Sequence, residues 1–150
     1  MKPFVLLYGL VIAMPLHAAC LTGHYQLSKQ VVMDRDTGRV WSRCAVGQSG
    51  PQCRGKAKLL TFSEALQWAQ SQPGWRLPTH DELMSLVQPR CSSTHLNSTA
   101  FPNAPTEAVW SVTPSADGNG YWVVDLREGF DDIVNRTSLK AVWLVQMPVR

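Results

Sequence analysis

The stretch "GWRLPTHDELMSL", residues 74 to 86, gathers Arg76, His80, Asp81 and Glu82. A guanidinium, an imidazole and two carboxylates are ingredients of general acid–base chemistry, which needs titratable groups within hydrogen-bond reach of a reacting atom. Helix physics offers these residues a different task. Thr79 stands three positions before Glu82, the spacing of a capping box, and Pro78 leads into it. His80, Asp81 and Glu82 then make a first helical turn, where carboxylates face the positive end of the helix dipole. Adjacent helix positions diverge, so His80 and Asp81 are expected to point apart and to form no relay. The pattern assigns Thr79 and Glu82 to a helix cap and no residue to catalysis. Leu83, Leu86 and Val87 supply the apolar face of the helix that follows.

The remaining chemistry-bearing residues are cysteines and cations. Cys44 and Cys53 enclose eight residues, "AVGQSGPQ", rich in turn formers, so a local disulfide is the economical pairing. Cys20 and Cys91 are left to pair by elimination, provided the chain meets an oxidising compartment. No Cys-x-x-Cys or close His pair supports a metal site, and no cofactor is implied. Arg35, Arg39, Arg43, Arg54, Lys56 and Lys58 lie between residues 35 and 58 against Asp36 alone. Between 107 and 132 the balance reverses, with Glu107, Asp117, Asp125, Glu128, Asp131 and Asp132 against Arg127. Such runs keep a protein soluble; the functional alternative is a basic surface facing an anionic polysaccharide or envelope polymer. The formal charge of +3 is too small to imply nucleic acid.

The elements that must position these residues follow from pattern. Lys2 and the apolar run "FVLLYGLVIAM" before "LHAAC" describe a secretory leader over residues 1–19, and the run is shorter than the ~20 residues of a membrane span. The expected localisation is therefore exported, periplasmic or at the surface. A lipoprotein cut before Cys20, with a lipid anchor on its sulfur, is the alternative, and His17 three positions earlier counts against it. Residues 20–150 suit one domain; 45% hydrophobic and 17% charged residues are enough to build a core. "KQVVMDRDTGRVWSRC" reads as two strands around the turn Arg35 to Gly38, and residues 45–60 as a loop. "TFSEALQWAQ" reads as a helix, capped by Thr61 with Glu64 and ended by Pro73 and Gly74. Strand signals follow in "AVWSVT", "YWVVDLR", "DIVNRT" and "AVWLVQM". Trp41, Trp110, Trp122 and Trp143 fall on strands and are expected in the core. "EGFDD" lacks the alternating oxygen ligands of a calcium loop and reads as a turn. The fold class is α+β, two helices packed on antiparallel sheet and stapled by disulfide.

In this order, "DTGRVWSRCAVGQ", "QCRG", "EALQWA", "WRLPTHDELMSLV", "CSSTHLNSTAFPN", "VWSVTP" and "VWLVQMPVR" resemble the Lcl C-terminal domain family. That bacterial family is largely uncharacterised and takes its name from a collagen-like surface adhesin with affinity for glycosaminoglycans. "RLPT" with Glu82 is also similar to the formylglycine-generating sulfatase-modifying family, whose fold is C-type-lectin-like. The resemblance implies that fold here, and shared fold does not carry function. The oxidising enzymes of that wider group use a late cysteine pair, and no cysteine follows Cys91. Calcium-dependent lectins use Glu-Pro-Asn or Gln-Pro-Asp with Trp-Asn-Asp, whereas this chain has "QPR" and "FPN". The expectation is a non-catalytic exported binding module, adhesin-like or pilus-associated. The alternatives are a structural envelope component that recognises protein partners and, third, an enzyme.

Overall fold

The computed structural model describes residues 24–88 and 94–148. The leader, Cys20 and Cys91 lie outside the described residues, and the expectations about them with them. Ten elements form an α+β domain: β1 (Tyr25–Leu27), β2 (Val31–Asp34), β3 (Val40–Ser42), α1 (Phe62–Gln70), β4 (Trp75–Arg76), α2 (His80–Met84), β5 (Val109–Pro114), β6 (Tyr121–Asp125), β7 (Phe130–Val134) and β8 (Val145–Gln146). Two antiparallel sheets result, a five-stranded one in the order β1-β2-β3-β8-β4 and a three-stranded one, β5-β6-β7. The first joins both ends of the described chain.

Local sequence accounts for most of these elements. The β2–β3 turn closes through Asp34, whose carboxylate accepts from the Asp36 backbone and from the Thr37 hydroxyl, while Gly38 takes a φ of 70°. Asn, Asp and Gly are the residues that such turns require. Helix α1 starts at a complete capping box: Thr61 accepts from the Glu64 amide, and Glu64 accepts from the Thr61 amide at 2.8 Å. Its Phe62, Ala65 and Ala69 are buried, the face expected from the spacing. Helix α2 is only five residues long and begins with the second expected capping box, Thr79 with Glu82. Leu83 and Leu86 are fully buried beneath it. The Cys44–Cys53 disulfide forms, with the two Cα atoms 5.1 Å apart.

The strand expected over "AVWLVQM" shrinks to Val145–Gln146. Residues 140–144 bond to several segments in succession. Lys140 pairs with Leu60, Ala141 with Ala108 and Trp110, Val142 with Val46, and Leu144 with Ser42. A segment that serves four neighbours cannot keep one regular ladder, yet Ala141, Val142, Trp143 and Val145 are fully buried. It is the hub between the two sheets. Trp143 therefore lies in irregular backbone, not on a strand, and its indole donates to the Ser42 carbonyl at 2.6 Å. Strands β1 and β4 were not expected; at three and two residues they are too short for a period to register.

The core has two parts. One gathers Val32, Trp41, Leu83, Leu86, Phe101, Val124 and Trp143 around the larger sheet and α2. The other packs α1 against β5 and β6 through Phe62, Trp110, Val123 and Leu144. Trp41 and Trp110 occupy these cores as expected. Trp122 does not: it is half-buried on β6, with the His80 ring tilted against it at 4.8 Å between centroids. Among the described residues, no helix is long and apolar enough to cross a membrane.

Candidate functional site

The residues of the opening stretch do come together, in a form that the cap reading covers only in part. Arg76 on β4 meets Glu82 in a two-pronged pair, Nη1 to Oε2 at 2.8 Å and Nη2 to Oε1 at 2.7 Å. Arg39, in the turn just before β3, donates its Nε to the same Oε1 at 3.2 Å. The Thr79 amide takes the other oxygen at 2.9 Å. Glu82 is 7% exposed. Burial pushes its carboxyl up, and the hydrogen bonds from Arg76 and Thr79 with the charges of Arg76 and Arg39 outweigh that, bringing it down to about 2. Arg76 is raised in turn, chiefly by its bond to Glu82. Glu82 is thus both cap and counter-ion. The available signal was an arginine on the strand that leads into the cap, which a period-based reading passes over.

Separation of His80 from Asp81 was expected and is not observed. The His80 Nδ1 lies 3.3 Å from Asp81 Oδ1, and its Nε2 lies 2.6 Å from Asp131 Oδ2 on β7. At the very start of α2 the ring swings back along the helix end, where the divergence of interior neighbours does not apply. Both ring nitrogens face carboxylates. The backbone amide of His80 donates to the Thr113 hydroxyl of β5. The arrangement fastens α2 to the β5-β6-β7 sheet. Among the described residues, no three His, Cys, Asp or Glu side chains are grouped to hold a metal.

The six cations of residues 35–58 are put to different uses. Arg39 is committed to Glu82. Arg43 donates to the carbonyls of Ser28 and Thr99 at 3.0 and 3.2 Å, bracing two turns. Lys58 sits over the Trp68 ring at 4.7 Å. Arg35 is exposed at the hairpin turn, and Arg54 and Lys56 are exposed on the loop held by the disulfide. Arg39 and Lys56 line different cavities.

The Lys56 cavity is an open groove of about 470 Å³ between the disulfide loop, residues 103–107 and the β6–β7 turn. Its walls are built by side chain to backbone bonds. Gln48 donates to the Asn103 carbonyl at 2.8 Å, and Asn103 donates to the Cys53 carbonyl at 2.9 Å. Asn103 and Cys53 both hold positive φ values, 52° and 48°. The third wall brings Arg127, whose turn is fixed by the Asp125 carboxylate and by a bond from the His95 amide to the Arg127 carbonyl. In the sequence Arg127 is only an exception in an acidic run, because nothing local announces that this turn faces the disulfide loop. Glu107 is also on the lining and opposes the two cations.

No curated protein matches this chain. The family model for the Lcl C-terminal domain matches residues 30–146, from β2 through β8, so the sequence likeness and the disulfide-braced α+β fold meet in one assignment: the chain belongs to the Lcl C-terminal domain family.

Proposed function

We propose that this chain is a non-catalytic, exported binding module of the bacterial envelope or surface, with a C-type-lectin-like fold, that holds anionic polysaccharide in the Lys56–Arg127 groove. One observation carries the reading: two cations from distant segments, Lys56 and Arg127, line the same open groove against the single carboxylate of Glu107. An excess of cations suits a polymer of acidic sugars, and an open groove suits a chain that runs through it. Export is supported by the leader pattern and by the Cys44–Cys53 disulfide, since such bonds persist where thiols are oxidised. The non-catalytic reading draws its support from Glu82, the buried carboxylate of the opening stretch, whose two oxygens are both engaged by Arg39, Arg76 and the Thr79 amide.

Attraction of this kind is long-ranged and screened by salt over about 10 Å at 0.1 M. Binding is therefore weak at physiological salt and depends steeply on ionic strength. The test is retention of the mature protein on immobilised heparin at low salt. The Lys56→Glu, Arg127→Glu double variant should elute with the void, and Arg54→Glu, Lys58→Glu should remain retained. Equal retention of wild type and the first variant, or no retention of wild type, removes the groove from consideration. The second outcome favours a structural component recognising protein, for which exposed Phe130 and Ile133 on β7 are the surface to examine.

A further inference from the structure

A second cavity, of about 300 Å³, opens between the β2–β3 turn, β4 and the end of β8. Its polar floor is the Arg39–Glu82–Arg76 group, and its walls include Val40, Gln146, Met147 and Pro148. The charges do not balance: two guanidiniums share one carboxylate. Glu82 has nothing left to offer a ligand, because Oε1 accepts from Arg39 and Arg76 and Oε2 from Arg76 and Thr79. Arg39 is different. Its Nε is the atom turned to Glu82, so the fork formed by its two terminal amino groups points away from that carboxylate. Neither group has a hydrogen-bond partner among the described residues, and neither has the Gln146 side-chain amide. Met147, 52% exposed, and Pro148 add an apolar wall beside this polar end.

The geometry points to a binding site for a small organic carboxylate, received by the outward fork of Arg39, with Gln146 for a neighbouring polar group and Met147 against its carbon skeleton. A planar fork with one excess positive charge matches a carboxylate with two parallel hydrogen bonds, which an ammonium cannot reproduce. The Glu82–Arg76 pair holds the Arg39 Nε from behind, at 3.2 Å. The volume is at the small end of ligand pockets, enough for one sugar acid or the last residue of a peptide. This site shares no lining residue with the Lys56–Arg127 groove.

The test uses the whole mature protein and nuclear magnetic resonance of the Arg39 Nε–H, the Gly38 amide and the Gln146 side-chain amide. Glucuronate and an N-acetylated dipeptide with a free C-terminus are titrated separately, each beside its methyl ester. A saturable shift of these signals with at least one acid, weakened about tenfold or more by its ester and by Arg39→Lys, is expected. Whichever acid shifts them identifies the source of the carboxylate. Arg39→Lys leaves the Arg76–Glu82 pair in place, and Gln146→Ala provides a second variant, expected to weaken binding while the fold stays intact. Lys56→Glu with Arg127→Glu should leave the titration unchanged, so failure of the groove and failure of this site are separable. Absence of saturation with both acids, equal shifts with acid and ester, or an unaltered titration in Arg39→Lys would overturn the assignment.

Discussion

Glu82→Gln isolates the charge of one buried carboxylate while leaving its shape. Glutamine can still accept from the Thr79 amide, so the cap survives; what is lost is the counter-charge for Arg76 and Arg39. The interval between the usual 4.5 and about 2 corresponds to about 3 kcal/mol of preference for the charged form in the folded state. Arg76 and Arg39 have side chains 30% and 38% exposed, so solvent relieves part of their loss, and we expect about 2–3 kcal/mol at pH 7. The dependence on pH is the more discriminating result. Because the folded value is depressed, the contribution is fully present above about pH 5. It declines as acid protonates Glu82, and is gone below about 2. A protonated glutamate resembles glutamine, so wild type and variant should converge in acid. Urea unfolding followed by tryptophan fluorescence at pH 7, 4 and 2.5 reads the gap directly. A gap that is the same at all three values would refute the electrostatic argument. A gap under about 0.5 kcal/mol at pH 7 would show that the pair contributes no more than an exposed one.

Two further predictions concern the loop that carries Lys56. Replacing both Cys44 and Cys53 by alanine opens a closure of nine positions, which on the chain-entropy view costs about 2–3 kcal/mol and is read as a lowered unfolding midpoint; an unchanged midpoint would mean the loop is ordered without it. Gly47→Ala puts a Cβ 2.7 Å from the Lys58 nitrogen and 2.8 Å from the Lys56 oxygen, at a φ of 96°. Both neighbours are backbone, so the strand of loop beneath Lys56 must move, at about 2–4 kcal/mol. Differential scanning calorimetry checks it, and a loss under 1 kcal/mol would contradict the close approach.

What was legible in the sequence follows the range of the interactions that decide it. Both capping boxes, the β2–β3 turn and the Cys44–Cys53 bond are settled within ten residues, and their residue types state them openly. The segment 140–144 is the contrary case. Its run of apolar residues reads as a strand, because a strand and an irregular core segment bury the same side chains. The distinction lies in the partners, Leu60, Ala108, Val46 and Ser42, which stand far away in sequence. Trp122 failed for a related reason: its strand was correctly placed, but which strand face is covered depends on where α2 docks.

The cavities sharpen the same point. The run of cations between residues 35 and 58 reads as solvated loops or, as the functional alternative, one basic surface, and the fold divides it according to what each cation meets. Arg43 finds two carbonyls, Arg39 finds Glu82, and Lys56 is left facing Arg127 across a groove. Each outcome turns on a contact made at a separation of at least fifteen residues, where composition carries no information. The residue with the largest consequence, Glu82, was visible only in its local role. A cap glutamate needs its carboxylate at the helix end, and that end here lies beside β4, so Arg76 reaches it almost without choice. Arg39 meets Oε1 through its Nε, which leaves its two terminal amino groups without a partner among the described residues. The cap, the buried pair and the Arg39 contact therefore follow from one placement: a five-residue helix that packs on β5 and β6 and brings its first turn beside β4, the edge strand of the larger sheet.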